Sequence, residues 1–115
     1  MDLNGIIDKL ECDCKCCHEG LKNEVTGGYA GDLLSDVMAN SSRGDIWVTR
    51  QIHQNIIAVA CLNDLSGILI TQGAIPEDAT LEKARSEGMP VMVTRMPEFE
   101  AVGRIYHLLH YREKG

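Results

Sequence analysis

The stretch that decides the fold is Asp45–Pro76, DIWVTRQIHQNIIAVACLNDLSGILITQGAIP. Two apolar runs, Ile46-Trp47-Val48-Thr49 and Ile68-Leu69-Ile70-Thr71, each end in a polar corner and bracket an apolar segment, Gln54–Leu62, that reads as helix. Strands buried on both faces appear as continuous apolar runs, and a crossover between parallel strands needs about a dozen residues. The stretch is therefore a βαβ unit. In an open α/β sheet small ligands bind just beyond the carboxyl ends of the strands. Those ends carry Thr49, Arg50, Gln51, His53 and Asn55 on one side, and Thr71, Gln72 and Gly73 on the other.

Downstream, Pro76–Glu87 reads as a helix with acidic residues in its first turn and Gly88 as its stop. Pro90–Thr94 is a strand, and Pro97 opens a last helix with Phe99, Val102, Ile105, Tyr106 and Leu109 along one side. Upstream, Leu3, Ile6, Ile7 and Leu10 stand at helical spacing. Cys12–Cys16 alternates like a half-buried strand, which places Cys12, Cys14 and Cys16 on one face and Cys17 elsewhere. Glu19-Gly20 reads as a turn. Gly27-Gly28 reads as a corner with positive φ, and Asp32–Ala39 as a helix whose broad apolar face holds Leu33, Leu34, Val37 and Met38. Alternation of this kind specifies α/β architecture with a mostly parallel sheet covered on both faces.

A chain of 115 residues with 44% hydrophobic content fits one domain, residues 1–115, with an aliphatic core that gains from association. Eleven Lys and Arg against 17 Asp and Glu give a net charge of −6. The basic residues are scattered singly, which argues against nucleic acid. No apolar run reaches the roughly 20 residues needed to cross a bilayer, and Met1-Asp2-Leu3-Asn4 lacks the character of a secretion signal, so a cytoplasmic protein without membrane contact is expected.

Val25-Thr26-Gly27-Gly28-Tyr29, then Asp32–Met38, Asp45–Thr49, His53, Asn55 and Ala58-Val59-Ala60 together resemble the DRTGG domain, in its free-standing type often encoded near iron-only hydrogenase and electron-transfer components. The resemblance covers roughly residues 25–109, with residues 1–24 a cysteine-containing extension. It implies a three-layer α/β sandwich similar to the N-terminal domain of HPr kinase/phosphorylase. It also implies a regulatory or dimerising role, as in modules carried by some phosphotransacetylases and by pyrophosphatases with nucleotide-sensing CBS domains. Two departures stand out. The Asp-Arg of the family name falls near Ile52 and His53, and its Thr-Gly-Gly becomes Thr71-Gln72-Gly73.

His53 is open to binding a ligand, accepting a proton, pairing with an acid or capping a helix. Thr71-Gln72-Gly73 is either a tight turn or a set of amides for an anion, which Glu77 and Asp78 would repel. Cys12, Cys14, Cys16 and Cys17, with His18 beside them, suit zinc or an iron–sulfur cluster by ligand type, yet one short strand cannot wrap a metal, and packed or redox-sensing thiols are the other readings. Asp32 and Asp36 read as capping and solvating groups, and His107 and His110 as surface groups. No nucleophile stands beside an evident base, and no phosphate loop or catalytic carboxylate pair is present. The expected function is thus a non-enzymatic, homodimeric regulatory module in redox or hydrogen metabolism that binds a small metabolite, a nucleotide or a partner protein. Metal binding through the cysteines is the alternative.

Overall fold

The computed structural model describes residues 1–111. In chain order the elements are α1 (Leu3–Lys9), β1 (Asp13–Cys16), a short 3-10 turn (His18–Lys22), β2 (Gly27–Ala30), α2 (Leu34–Asn40), β3 (Asp45–Thr49), α3 (Asn55–Leu62), β4 (Gly67–Ile70), α4 (Asp78–Glu87), β5 (Val91–Val93) and α5 (Glu98–His110). The strands form one sheet in the order β1-β5-β4-β3-β2, with β2 to β5 parallel and β1 antiparallel at the edge.

Alternation along the central strands divides the core into two layers. Trp47, Ile68, Ile70 and Val91 pack against Val37 of α2, Ile56, Ile57 and Ala60 of α3, and Ala84 of α4. Ile46, Val48, Leu69 and Met92 pack against Leu3 and Ile6 of α1 and Ala101 and Ile105 of α5. The result is the three-layer sandwich. Strand β4 leads to α4 on one face and β5 leads to α5 on the other.

Three sequence expectations are corrected. Gly27 and Gly28 are not a positive-φ corner but lie inside β2. Gly27 is needed for close approach instead, since a Cβ there would stand 2.7 Å from Asp45 Oδ1. The broad apolar face expected around α2 is narrow: Val37 is buried, whereas Leu33, which precedes the helix, is 68% exposed and Met38 is exposed. A helix over the last strand of a sheet has little sheet to cover. The third correction concerns the cysteines. Strand β1 shifts register between Cys14 and Cys16, and the irregularity inverts the alternation. Cys12 and Cys14 pack toward α1 and α5, while Cys16 and Cys17 join the opposite layer.

Candidate functional site at the strand ends

Each of the three strands β3, β4 and β5 ends on or is followed by a threonine: Thr49, Thr71 and Thr94, all buried. The Thr71 amide donates to the Thr49 carbonyl at 3.0 Å, so the two corners of the βαβ unit adjoin. The Thr49 hydroxyl donates to Asp32 Oδ1 at 2.7 Å and accepts from the Gln51 amide at 3.1 Å. Asp32 also accepts from the Arg50 amide at 2.8 Å and the Arg50 guanidinium at 3.3 Å, and its carbonyl accepts from Gln51 Nε2 at 3.0 Å. Burial pushes the Asp32 carboxyl up, but these donors outweigh it and hold the group below its ordinary range. Asp32 is thus the organiser of the β3 corner, and its sequence reading as a helix cap missed that. The signal available was its place one residue past a glycine at a strand end.

The other predicted residues divide. The amides of Gln72 and Gly73 donate to the carbonyls of Met96 (2.9 Å) and Thr94 (3.0 Å), which ties the β4 loop to the β5 loop. Those amides are engaged within the protein, in a tight turn. His53 faces away from the cluster: its Nδ1 lies 3.1 Å from Glu77 Oε1, in an exposed pair between the starts of α3 and α4. Asn55 is exposed as the first residue of α3.

Thr94 donates to the Glu11 carbonyl at 2.6 Å. Thr71 differs: its hydroxyl has no partner although the residue is fully buried, and among the described residues Glu98 Oε1 is the other buried side-chain oxygen in this condition. Burial raises the Glu98 carboxyl above its ordinary range, with Asp32 adding to the effect and Arg50 opposing it. Beside this rim opens a cleft of about 580 Å³ between Gly73–Pro76 and Glu11–Lys15, with Val93, Thr94 and Arg95 between them. The third strand-end threonine was the clue in the sequence to this side of the site.

The thiols do not assemble into a metal site: among the described residues no group of three or more His, Cys, Asp or Glu side chains is placed to hold an ion. Cys16 and Cys17 sulfurs are 3.5 Å apart, but Cys17 donates to the Ala84 carbonyl and Cys16 to the Met89 carbonyl. Burial, reinforced by the Cys16 thiol, pushes Cys17 up to about 12, and burial pushes Cys12 up to about 11. Such thiols stay protonated and react sluggishly.

A family model described as the DRTGG domain matches residues 6–108. The chain belongs to the DRTGG domain family. No curated protein matches it. The fold is shared with a solved structure described as the CBS and DRTGG domains of the regulatory region of Clostridium perfringens pyrophosphatase complexed with its activator, diadenosine tetraphosphate. That likeness has a TM-score of 0.68 at 20% identity, and it covers 87% of this chain but 44% of the other. Against the name of the DRTGG family, the present sequence places Gln72 where the middle glycine of Thr-Gly-Gly falls. The backbone there has φ of 60°, and Gly73 follows at 70°. The loop thus keeps a left-handed shape that glycine adopts freely and glutamine does not.

Proposed function

We propose that this DRTGG domain is a non-catalytic regulatory module of the cytoplasm, which binds a small metabolite at the carboxyl ends of β3 and β4 and transmits its occupancy through a homodimer. The observation that carries the reading is the junction of Thr49 and Thr71, where the loops after β3, β4 and β5 meet around polar groups that include an unpartnered buried hydroxyl. Buried polar groups in folded proteins are nearly always hydrogen-bonded, so an orphan at a strand end is a mark of a binding surface. The nucleotide activator named for the pyrophosphatase regulatory region supports adenine nucleotides as the first class to try. Residues Thr49, Gln51, Thr71, Gln72 and Gly73 form the rim, with His53 and Asn55 at its outer margin. The resemblance to free-standing members suggests a partner enzyme in hydrogen or redox metabolism.

Dimerisation is assigned to the β2 edge. Gly27–Ala30 forms the outermost strand, without proline or charge in the strand to block pairing, and a groove beside it is lined by Val102, Tyr106 and Leu109 of α5. A thermal-shift screen with adenine mono-, di- and triphosphates, together with light scattering, tests both halves. A rise in melting temperature that Gln51→Ala abolishes, in a protein of twice the chain mass, is expected. A monomer that responds to no compound sinks the reading.

A further inference from the structure

The cleft of about 580 Å³ beside the β4 loop is lined by neither Thr49, Gln51 nor Thr71, and its walls are fixed by one residue. The Thr94 hydroxyl donates to the Glu11 carbonyl at 2.6 Å on the β1 side, while the Thr94 carbonyl accepts from the Gly73 amide at 3.0 Å on the β4 side. The cleft is therefore preformed, as small-molecule sites usually are, and its size is that of such a site. In front of Gly73, which has φ of 70°, a Cβ would meet nothing within 4 Å, so a guest can approach the backbone there.

Charges of both signs line the cleft. Asp13 is paired with Val93 in the antiparallel register of β1 and β5, which puts the two side chains on one face of the sheet, the face of Val91. Because the strands run in opposite directions, Lys15 follows Asp13 toward one end and Arg95 follows Val93 toward the other. The cations flank the Asp13–Val93 pair. Arg43, Arg50, Lys83 and Arg104 each pair with a carboxylate, but among the described residues Lys15, Arg95, Glu11 and Asp13 have no ion-pair partner. Between them lies aliphatic surface from Ala74, Val93 and Ile75, the last 80% exposed.

This lining restricts the guest. A polyphosphate meets Glu11 and Asp13, and a polyamine meets Lys15 and Arg95. A planar base finds no ring to stack on, since among the described residues no aromatic side chain lines the cleft. A guest with one ammonium, one carboxylate and an aliphatic body matches all three features. Its carboxylate suits the planar fork of Arg95, its ammonium the Asp13 carboxylate, and its body the Ile75–Val93 surface.

We infer that the cleft between Gly73–Pro76 and Glu11–Lys15 is a second binding site, for a small aliphatic zwitterion of the class of branched-chain amino acids and their short peptides. It is separate from the strand-end site proposed above.

Calorimetric titration of the full chain tests it with leucine, leucyl-leucine, inorganic phosphate, and two compounds that keep the aliphatic body and a single charge, 4-methylpentanoate and 3-methylbutylamine. Leucine or its dipeptide is expected to bind at least roughly tenfold more tightly than either single-charge compound, the scale of one charge-assisted hydrogen bond. Arg95→Gln and Asp13→Asn, both at exposed positions, should each lower that affinity by about the same factor. Both variants should keep the thermal shift with adenine nucleotides that Gln51→Ala removes. Equal binding of a single-charge compound or of phosphate overturns the zwitterion. Loss of the nucleotide shift in Arg95→Gln would merge the cleft with the strand-end site and overturn a second one. If no zwitterion binds while nucleotides still do, the cleft site falls and the strand-end site stands; if nothing binds, both fall.

Discussion

Thr71 gives its backbone amide to the Thr49 carbonyl at 3.0 Å yet keeps its buried hydroxyl unused. The backbone bond joins two strands; the idle hydroxyl adds nothing to the fold. Thr49 and Thr94, at the ends of the neighbouring strands, spend their hydroxyls on Asp32 and Glu11.

Thr71→Val therefore separates stability from binding. Replacing an unpaired buried hydroxyl by a methyl removes a desolvation cost, so the free protein should gain about 1 kcal/mol in urea unfolding. The same variant should lose part of the thermal shift given by the ligand that stabilises the unmodified chain. A loss of stability comparable to that of a core truncation would mean that the hydroxyl has a partner.

Asp32→Ala should cost about 2 kcal/mol near neutral pH, since it strands the Arg50 amide and deprives the Thr49 hydroxyl of its acceptor; this figure is already reduced for the partial exposure of the carboxylate. The folded-state value of Asp32 is depressed, so its contribution is present above the ordinary 3.8 and disappears as pH falls through the lower folded value. Urea midpoints of the parent and the variant should converge under acid conditions.

Glu98 has the opposite sign. Its folded-state value is raised above the ordinary 4.5, mainly by burial, so folding favours its protonated form and the parent loses stability as pH rises from 4.5 through the raised value. Glu98→Gln should flatten that part of the profile and be the more stable protein at pH 7. Parallel profiles for the two proteins would contradict the burial of this carboxyl.

Gln72→Gly should raise stability by roughly 0.5 to 1 kcal/mol, because it relieves a left-handed backbone held at φ of 60°. Gln72→Val should lower it by at least as much, a β-branched side chain being the worst fit to that conformation. Thermal unfolding of both variants measures the strain directly.

Metal should be substoichiometric in protein purified anaerobically, and treatment with a chelator should leave the melting temperature unchanged. The register shift in β1 puts Cys12 and Cys14 in one layer and Cys16 in the other. One firmly bound iron or zinc per chain by elemental analysis would reverse this expectation.

The sequence by itself determined the layers. Continuous apolar runs at Ile46–Thr49 and Ile68–Thr71, separated by a helix-length segment, leave little choice but parallel strands buried on both faces, and the corners after them held Thr49, Gln51, Thr71, Gln72 and Gly73. What tertiary structure alone decided depends on contacts distant in the chain. Asp32 becomes the hub of the β3 corner because β2 lies beside β3. The division of the cysteines follows from a single register shift, and His53 is drawn to Glu77 across two helix starts. Periodicity records which side of an element is buried; it carries no record of which other element arrives there, and the polar partners of this site are set by that arrival.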